Sequence, residues 1–425
     1  MIKIRKSMRS GFTTIRYDAI SLRNDLQQQF VEVVFVCDFS EKMRFSDDLT
    51  RDVSSAFLNN LTKLKLKINE NFSKSGMSIT LGNLYLKEFS VRSEEVADVL
   101  PVAKFLEFRG LEKRCRQIIQ ESISSKNVTQ FYAIANKYQL SKVMVQCVRW
   151  LCFNMIPLLS HEIQLRNVPF ELLLEIIQSQ NFFVESEYSV YQMLCCWLFL
   201  QLQPKAQTVP AFSTIITYFH SLPKWCGFLE REEGQQYSPL FSSLRIHGIQ
   251  DSGEIEIIQK MNILPNSWIM RLITLNYRAL QTGGEMSFLL SFESSSIRNG
   301  LVVKKEMKCS EIVQICGIYF EIVVSPEQQT SPSAFRIFLR RLKPSDPILA
   351  MGSKERSTFS LKPDREVQYS IRANWNSENE QMHFETGIRR QRFGFHDKLA
   401  MSEFYSVDGV TLPLYVTFSI LFPSV

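Results

Sequence analysis

Between Asn127 and Pro204 the apolar residues recur at helical spacing in four successive runs, and that pattern commits the middle of the chain to packed helices. The first run sets Val128, Phe131, Tyr132 and Ala135 on one face, the i, i+3, i+4, i+7 spacing of a buried stripe. Asn127 stands where a cap belongs, with Gln130 at N3. After a turn at Gln139–Leu140, Ser141 is placed to cap a second helix with Met144, Cys147, Val148 and Leu151 inward. A third run carries Phe170, Leu173, Leu174 and Ile177 behind Pro169, a residue that a helix start tolerates. The fourth opens at Ser186, ends at Pro204 and presents Val190, Leu194, Trp197 and Leu198 on one face. Trp150 and Trp197 read as core anchors. A stack of this kind is a platform for partners, with no catalytic chemistry of its own.

Upstream, residues 1–29 are polar and basic without sustained periodicity, which predicts a mostly unfolded arm. Phe30 to Phe39 is a dense β-branched and aromatic run, the mark of a strand covered on both faces. Arg44–Phe45 begins its expected hairpin partner, Leu49–Leu61 a helix, and Lys65–Ile68 a further strand, while Thr62–Ser78 is irregular overall. Leu84–Phe89 is a short link, and Glu94–Ser122 holds two helices with Val96, Val99, Leu100, Ala103 and Leu106 inward.

Downstream, Pro204–Gly253 predicts short bent helices, Glu254–Ile263 and Asn266–Gln281 two longer ones, and Gly283-Gly284 their end. The period then changes from 3.6 to 2. Phe335, Ile337 and Leu339 alternate with arginines, and Val367, Tyr369, Ile371, Ala373 and Trp375 alternate with polar residues. Leu414, Val416, Phe418, Ile420 and Phe422 repeat the pattern. With Leu301–Lys304 and Ile312–Val324, these strands suffice for an antiparallel sandwich. No internal repeat of propeller-blade length appears in these residues.

Composition narrows the function classes. The formal charge of +6 sits largely in the first sixteen residues and around Arg336–Arg341 and Arg389–Arg392, and reads as solvated surface and strand faces. A nucleic-acid footprint is normally denser, so no nucleic-acid partner is expected. The nine cysteines are scattered without C-x-x-C spacing, which predicts reduced core thiols and no zinc site. In the pair Cys195-Cys196, one side chain is expected to face the core and its neighbour to point elsewhere. The histidines (His161, His220, His247, His383, His396) form no metal or catalytic motif, and neither a phosphate loop nor a nucleophile elbow is present. No secretory signal or membrane-spanning run is expected, and Ile2 stands where N-myristoylation needs glycine. The chain therefore reads as a non-enzyme with no cofactor.

Several motifs resemble one family. Trp197-x-Phe199-Leu200-Gln201-Leu202-x-Pro204 is similar to the close of the helical BACK region in germ cell-less proteins. Leu100-x-x-Ala103-x-x-Leu106-x-Phe108-x-Gly110-Leu111, ending at Cys115, resembles the last two helices of a BTB domain. Phe131-Tyr132, Tyr138-x-Leu140 and Cys147-x-x-Trp150-Leu151 resemble the junction between the two, and the Leu412–Val416 strand also looks familial. The resemblance implies an α+β multidomain fold: a basic arm (1–29), a degenerate BTB/POZ domain (30–125), an all-α BACK region (126–282) and a C-terminal antiparallel β-sandwich-like domain (283–425). It implies a substrate adaptor for a cullin-3-type ubiquitin ligase, homodimeric through the BTB domain, nuclear or at the nuclear envelope, and linked to germ-cell development. The alternative is a nuclear-envelope or nuclear-matrix scaffold without a ligase role. Cullin contact falls by resemblance on Phe57, Leu58, Phe131, Tyr132 and Tyr138. Two departures stand out: Ser46 and Asp47 replace the usual His-Lys-type pair, and Phe57-Leu58-Asn59 lacks the acid of the family's aromatic-x-Glu contact.

Overall fold

Ser186 is where the sequence places a helix start, and the fold is built around the helix that begins there. The structure, a computed structural model, describes residues 3–9, 12–18, 30–33, 64–67, 72–83, 86 and 88–423, apart from 160–163, 283–290, 328–332, 351–359, 361 and 378–379. These residues fall into two units, Met1–Ile123 with Gln130–Met144, and Ser124–Thr129 with Val145–Val425.

In the first unit, β1 (Lys3–Arg9) pairs antiparallel with β2 (Phe12–Asp18), so part of the expected unfolded arm is a hairpin. The strand expected from Phe30 is present as β3 (Phe30–Val33), and it pairs with β4 (Leu64–Lys67). The expected helix at Leu49–Leu61 and the hairpin partner at Arg44–Phe45 lie outside the described residues. The segment read as irregular contains β4 and the start of α1 (Lys74–Asn83). Helix α1 lies close to α2 (Val96–Phe105), because a Cβ on Gly76 would stand 2.3 Å from the Asp98 carbonyl oxygen. Helix α2 buries Val96, Val99, Leu100 and Ala103, as its spacing predicts, and α3 (Arg109–Ser122) buries Leu111, Cys115, Ile118 and Ile119.

Helices α4 (Val128–Lys137) and α5 (Ser141–Asn154) follow. Asn127 Oδ1 accepts a hydrogen bond from the Ser124 backbone N–H at 2.8 Å. Gln139 takes a left-handed conformation (φ 54°) and the Leu140 N–H reaches back to the Ala135 carbonyl at 2.8 Å, closing α4 in the manner of a Schellman turn.

The second unit contains α6 (Phe170–Gln178), α7 (Glu187–Leu202), α8 (Phe212–Ser221), α9 (Ser252–Met261) and α10 (Asn266–Thr282). The buried face of α6 is Leu172, Leu173, Ile176 and Ile177, rotated from the expected one, with Phe170 and Leu174 half-buried. Ser186 accepts from the Ser189 N–H at 3.1 Å while Ser189 Oγ takes the Ser186 N–H, a reciprocal cap on α7. Twelve of the sixteen residues of α7 are buried, so it is enclosed on all sides rather than along one stripe. For that reason both Cys195 and Cys196 are buried, against the expectation that one would point elsewhere. Trp197 is 3% exposed and its indole N–H donates to the Val168 carbonyl at 2.9 Å. Trp150, the other expected anchor, is half-buried.

Nine strands make the rest. One sheet runs β10 (Glu380–Glu385), β9 (Asp364–Ser377), β13 (Leu414–Leu421), β5 (Ile297–Val303), with β11 (Arg389–Gly394) also on β9. The other runs β12 (Tyr405–Val407), β8 (Phe335–Arg341), β7 (Ile318–Pro326), β6 (Cys309–Ile315). Every pairing is antiparallel. The run read as Ile312–Val324 is a hairpin turned at Cys316-Gly317, both at positive φ (50° and 79°), as a two-residue type I′ connection requires. The alternating residues of β8, β9 and β13 face inward as expected and share one core with Phe320, Phe393 and Phe422. Arg341 departs from the solvated-face reading: it is 2% exposed and donates to the carbonyls of Phe393 (2.8 Å), Lys362 (2.6 Å) and Pro363 (3.2 Å). Burial pushes its guanidinium down to about 10, still charged at neutral pH.

Several contacts join the sandwich to the helices. Glu187, in the first turn of α7, holds Arg298 of β5 in a bidentate pair (Nε–Oε1 2.6 Å, Nη2–Oε2 3.1 Å), with side chains 0% and 8% exposed. Phe153 and Phe183 pack on Tyr415 of β13 at 5.8 and 5.4 Å between ring centroids, and the Tyr415 hydroxyl donates to Asn154 Oδ1 at 2.8 Å. Gly300 donates to the Glu185 carbonyl, and a Cβ there would meet the Val184 carbonyl oxygen at 2.5 Å, so β5 needs glycine to come this close. Because Trp197 fills the centre of the helical part, Trp197→Ala is expected to lower unfolding stability by about 3–5 kcal/mol in chemical denaturation; melting like wild type would contradict the enclosed α7.

Candidate partner-binding surfaces

The five residues marked for cullin contact divide three ways. Phe57 and Leu58 lie outside the described residues. Phe131 and Tyr132 are buried, 2% and 7% exposed, because α4 turns both rings into the packed side of the helix. In this structure they hold the helix in place and offer a partner little area. Tyr138 is half-buried, past the last residue of α4. Its ring stands 5.0 Å from Lys137 Nζ and 5.7 Å from Lys104 Nζ, and Lys104 also donates to the Tyr138 carbonyl. The turn after α4 thus presents an aromatic ring between two ammonium groups, a combination suited to an acidic, partly apolar partner. A half-exposed aromatic at a helix end was legible in the sequence; Lys104, 34 residues away, was not.

A second surface is an apolar stripe on α10. Met270, Ile273 and Tyr277 are 61%, 39% and 62% exposed at i, i+3, i+7 spacing, while the adjoining face of the helix buries Ile269 and Leu272. Sequence periodicity marked α10 as a helix but could not tell that it carries apolar residues on two faces.

Of the histidines, His247 is buried with Nε2 2.8 Å from the Ser295 carbonyl oxygen, and burial holds its pKa below the ordinary value. His220 Nδ1 lies 3.1 Å from the Lys260 carbonyl oxygen. Among the described residues no group of three or more His, Cys, Asp or Glu side chains could hold a metal ion, and no helix is long and apolar enough to cross a membrane. Burial pushes the Cys115, Cys147, Cys196 and Cys316 thiols up to about 12 and Cys152 to about 11.

The fold and these surfaces give the setting for comparison with known proteins. A family model described as BACK, "BTB And C-terminal Kelch", matches residues 128–215, from the start of α4 into α8. A second, described as the C-terminal domain of BTB/POZ domain-containing protein 16, matches residues 297–404, from β5 to the loop before β12. Mouse germ cell-less protein-like 1 is 28% identical over 219 residues, covering 49% of this chain and 41% of its own length. The fruit-fly protein germ cell-less is 24% identical over 241 residues, covering 50% and 42%. The chain is a germ cell-less-like BTB–BACK protein. It spans about two-fifths of the length of these relatives. Mouse kelch-like protein 9 is 25% identical over 129 residues, covering 30% of this chain and 21% of its own length.

With the elevated thiol pKa values, cysteine reactivity tests the buried helices directly. In a Cys37→Ser background at pH 8, a disulfide reagent such as DTNB is expected to label half-buried Cys226 and Cys309 promptly and the six buried thiols only on unfolding. Rapid labelling of Cys147 or Cys196 in the folded chain would contradict the packing described.

Proposed function

We propose that this chain is a substrate-specific adaptor of a cullin-3-type ubiquitin ligase. What carries the reading is the BACK region matched at residues 128–215, together with a β-sandwich that packs on α7 and Phe183. The BTB segment, residues 30–125, pairs with a second copy and, together with the turn after α4, docks the cullin. The sandwich holds a substrate near the ubiquitin-carrying enzyme. Rate enhancement then comes from raised effective concentration of substrate lysines, and the chain supplies no chemistry of its own. A homodimer presents two receptor faces, which adds avidity for a clustered substrate. By the germ cell-less likeness, the protein works at the nucleus or nuclear envelope, in germ-cell development.

Burial of Phe131 and Tyr132 moves the proposed contact toward Tyr138 with Lys104, and toward Phe57 and Leu58. The test is a pull-down of the purified cullin-3 N-terminal domain with the full chain. Binding at micromolar concentration, weakened about tenfold by Tyr138→Ala combined with Lys104→Glu, is the expected result. Phe57→Ala with Leu58→Ala tests the second contact, and circular dichroism checks that each variant is folded. Absence of binding by folded wild-type chain would move the assignment to a nuclear-envelope scaffold without a ligase role.

A further inference from the structure

The second unit contains a cleft of about 730 Å3, walled by Gln178 at the end of α6 and Gln180 after it, Ser243–His247, Trp268 and Arg271 of α10, and Arg298 of β5. A smaller recess of about 80 Å3 shares Gln180, Arg245, Glu293 and Arg298 with it and adds Arg372 and Glu385. Four guanidinium groups therefore line these two neighbouring recesses. Their charges are not equally compensated. Arg298 is neutralised by buried Glu187, and Arg372 pairs with Glu385 at 2.8 Å. Arg245 has only neutral partners among the described residues, the Ser296 carbonyl and hydroxyl oxygens, each at 2.8 Å. Arg271 is exposed and has no ion pair among the described residues. Glu293, exposed and also lining both recesses, makes no ion pair with either.

Half-burial of Arg245 strips water from a cation that no carboxylate touches directly. Its guanidinium is held down to about 10, first by burial and then by the neighbouring charge of Arg298, with Glu187 opposing the shift and Arg372 adding to it. It stays charged at neutral pH, and an incoming anion would complete its surroundings. Arginine forks match two-oxygen acceptors in particular, which carboxylates and phosphate esters both provide. Around them, the amides of Gln178 and Gln180 and the Ser243 hydroxyl match the donors and acceptors of a peptide main chain, and the Trp268 ring offers an apolar wall. The positive charge is confined to these recesses rather than laid out as a track, which fits a single anionic side chain better than a nucleic-acid backbone.

We propose that this cleft binds an acidic peptide segment of a partner protein, its glutamate carboxylate or phosphoserine phosphate held by Arg245 and Arg271. The idea deepens the receptor reading, because it gives the substrate face a place and a chemistry. It needs no cullin, so either can fail without the other.

The test uses the full chain, immobilised, with three degenerate peptide libraries that share random flanks and differ at one fixed position: glutamate, phosphoserine or glutamine. Retention of the glutamate or phosphoserine library about tenfold above glutamine, reduced to the glutamine level in Arg245→Gln and in Arg271→Gln, is the expected result. Which of the two acidic libraries is preferred identifies the anion. Arg271 is exposed and its replacement leaves the packing intact, so that variant decides the matter even where Arg245→Gln unfolds the chain. Equal retention of all three libraries, or acidic retention unchanged in folded Arg271→Gln, would overturn the proposal.

Discussion

The ion pair between Glu187 and Arg298 is the interaction on which the rest of the second unit depends. Two charges removed from water this completely cost several kcal/mol each to desolvate, and only close bidentate geometry offsets that cost. Glu187 also sits in the first turn of α7, where backbone N–H groups favour a negative charge. The pair is weak evidence for net stability, since well-packed apolar residues could fill the same space. Its effect is on specificity: any other docking of β5 against α7 would strand a buried charge. Arg245 and the cleft inherit their geometry from it, because Arg298 is both the partner of Glu187 and part of the cleft wall.

Around that pair the contacts are those of one domain interior rather than of two domains touching. Tyr415 is clasped by Phe153 and Phe183 and hydrogen-bonded to Asn154, while Gly300 brings β5 against the Val184 carbonyl. The sheet face on the helical side is accordingly covered: Ser370 and Tyr415 are buried there despite alternating out of the sandwich core. On the proposed adaptor reading, a substrate held by the sandwich would take its orientation from α7 directly.

Much of this architecture was legible in the sequence, and the failures have physical causes. Helices α2 to α7 follow from apolar spacing and from Ser186 and Pro169 at their starts, since periodicity and caps are local signals. The inward residues of β8, β9 and β13 were read correctly because alternation is local too. What periodicity could not show was coverage of the second face. Hence α7 was read as a stripe when it is enclosed, Cys195 and Cys196 were split when both are buried, and Arg341 was taken for solvated when three carbonyls surround it. Strands β10, β11 and β12 are short, without a sustained apolar alternation, and take their conformation from partners on β9 and β8 rather than from their own pattern. The candidate sites were less legible still. Lys104 reaches Tyr138 over 34 residues, and Arg298 reaches Glu187 over 111, separations at which one sequence carries no pairing signal.

Native-state hydrogen exchange on the full chain tests most directly the claim that α7 and the sandwich form one cooperative body. Amides of β5 and β13 and those of α7 are expected to share a single opening free energy under mild denaturant, and Glu187→Gln to lower both together by about 3–5 kcal/mol. Sandwich amides that open at lower free energy than α7, or a Glu187→Gln effect confined to one side, would show two independent domains and contradict the account.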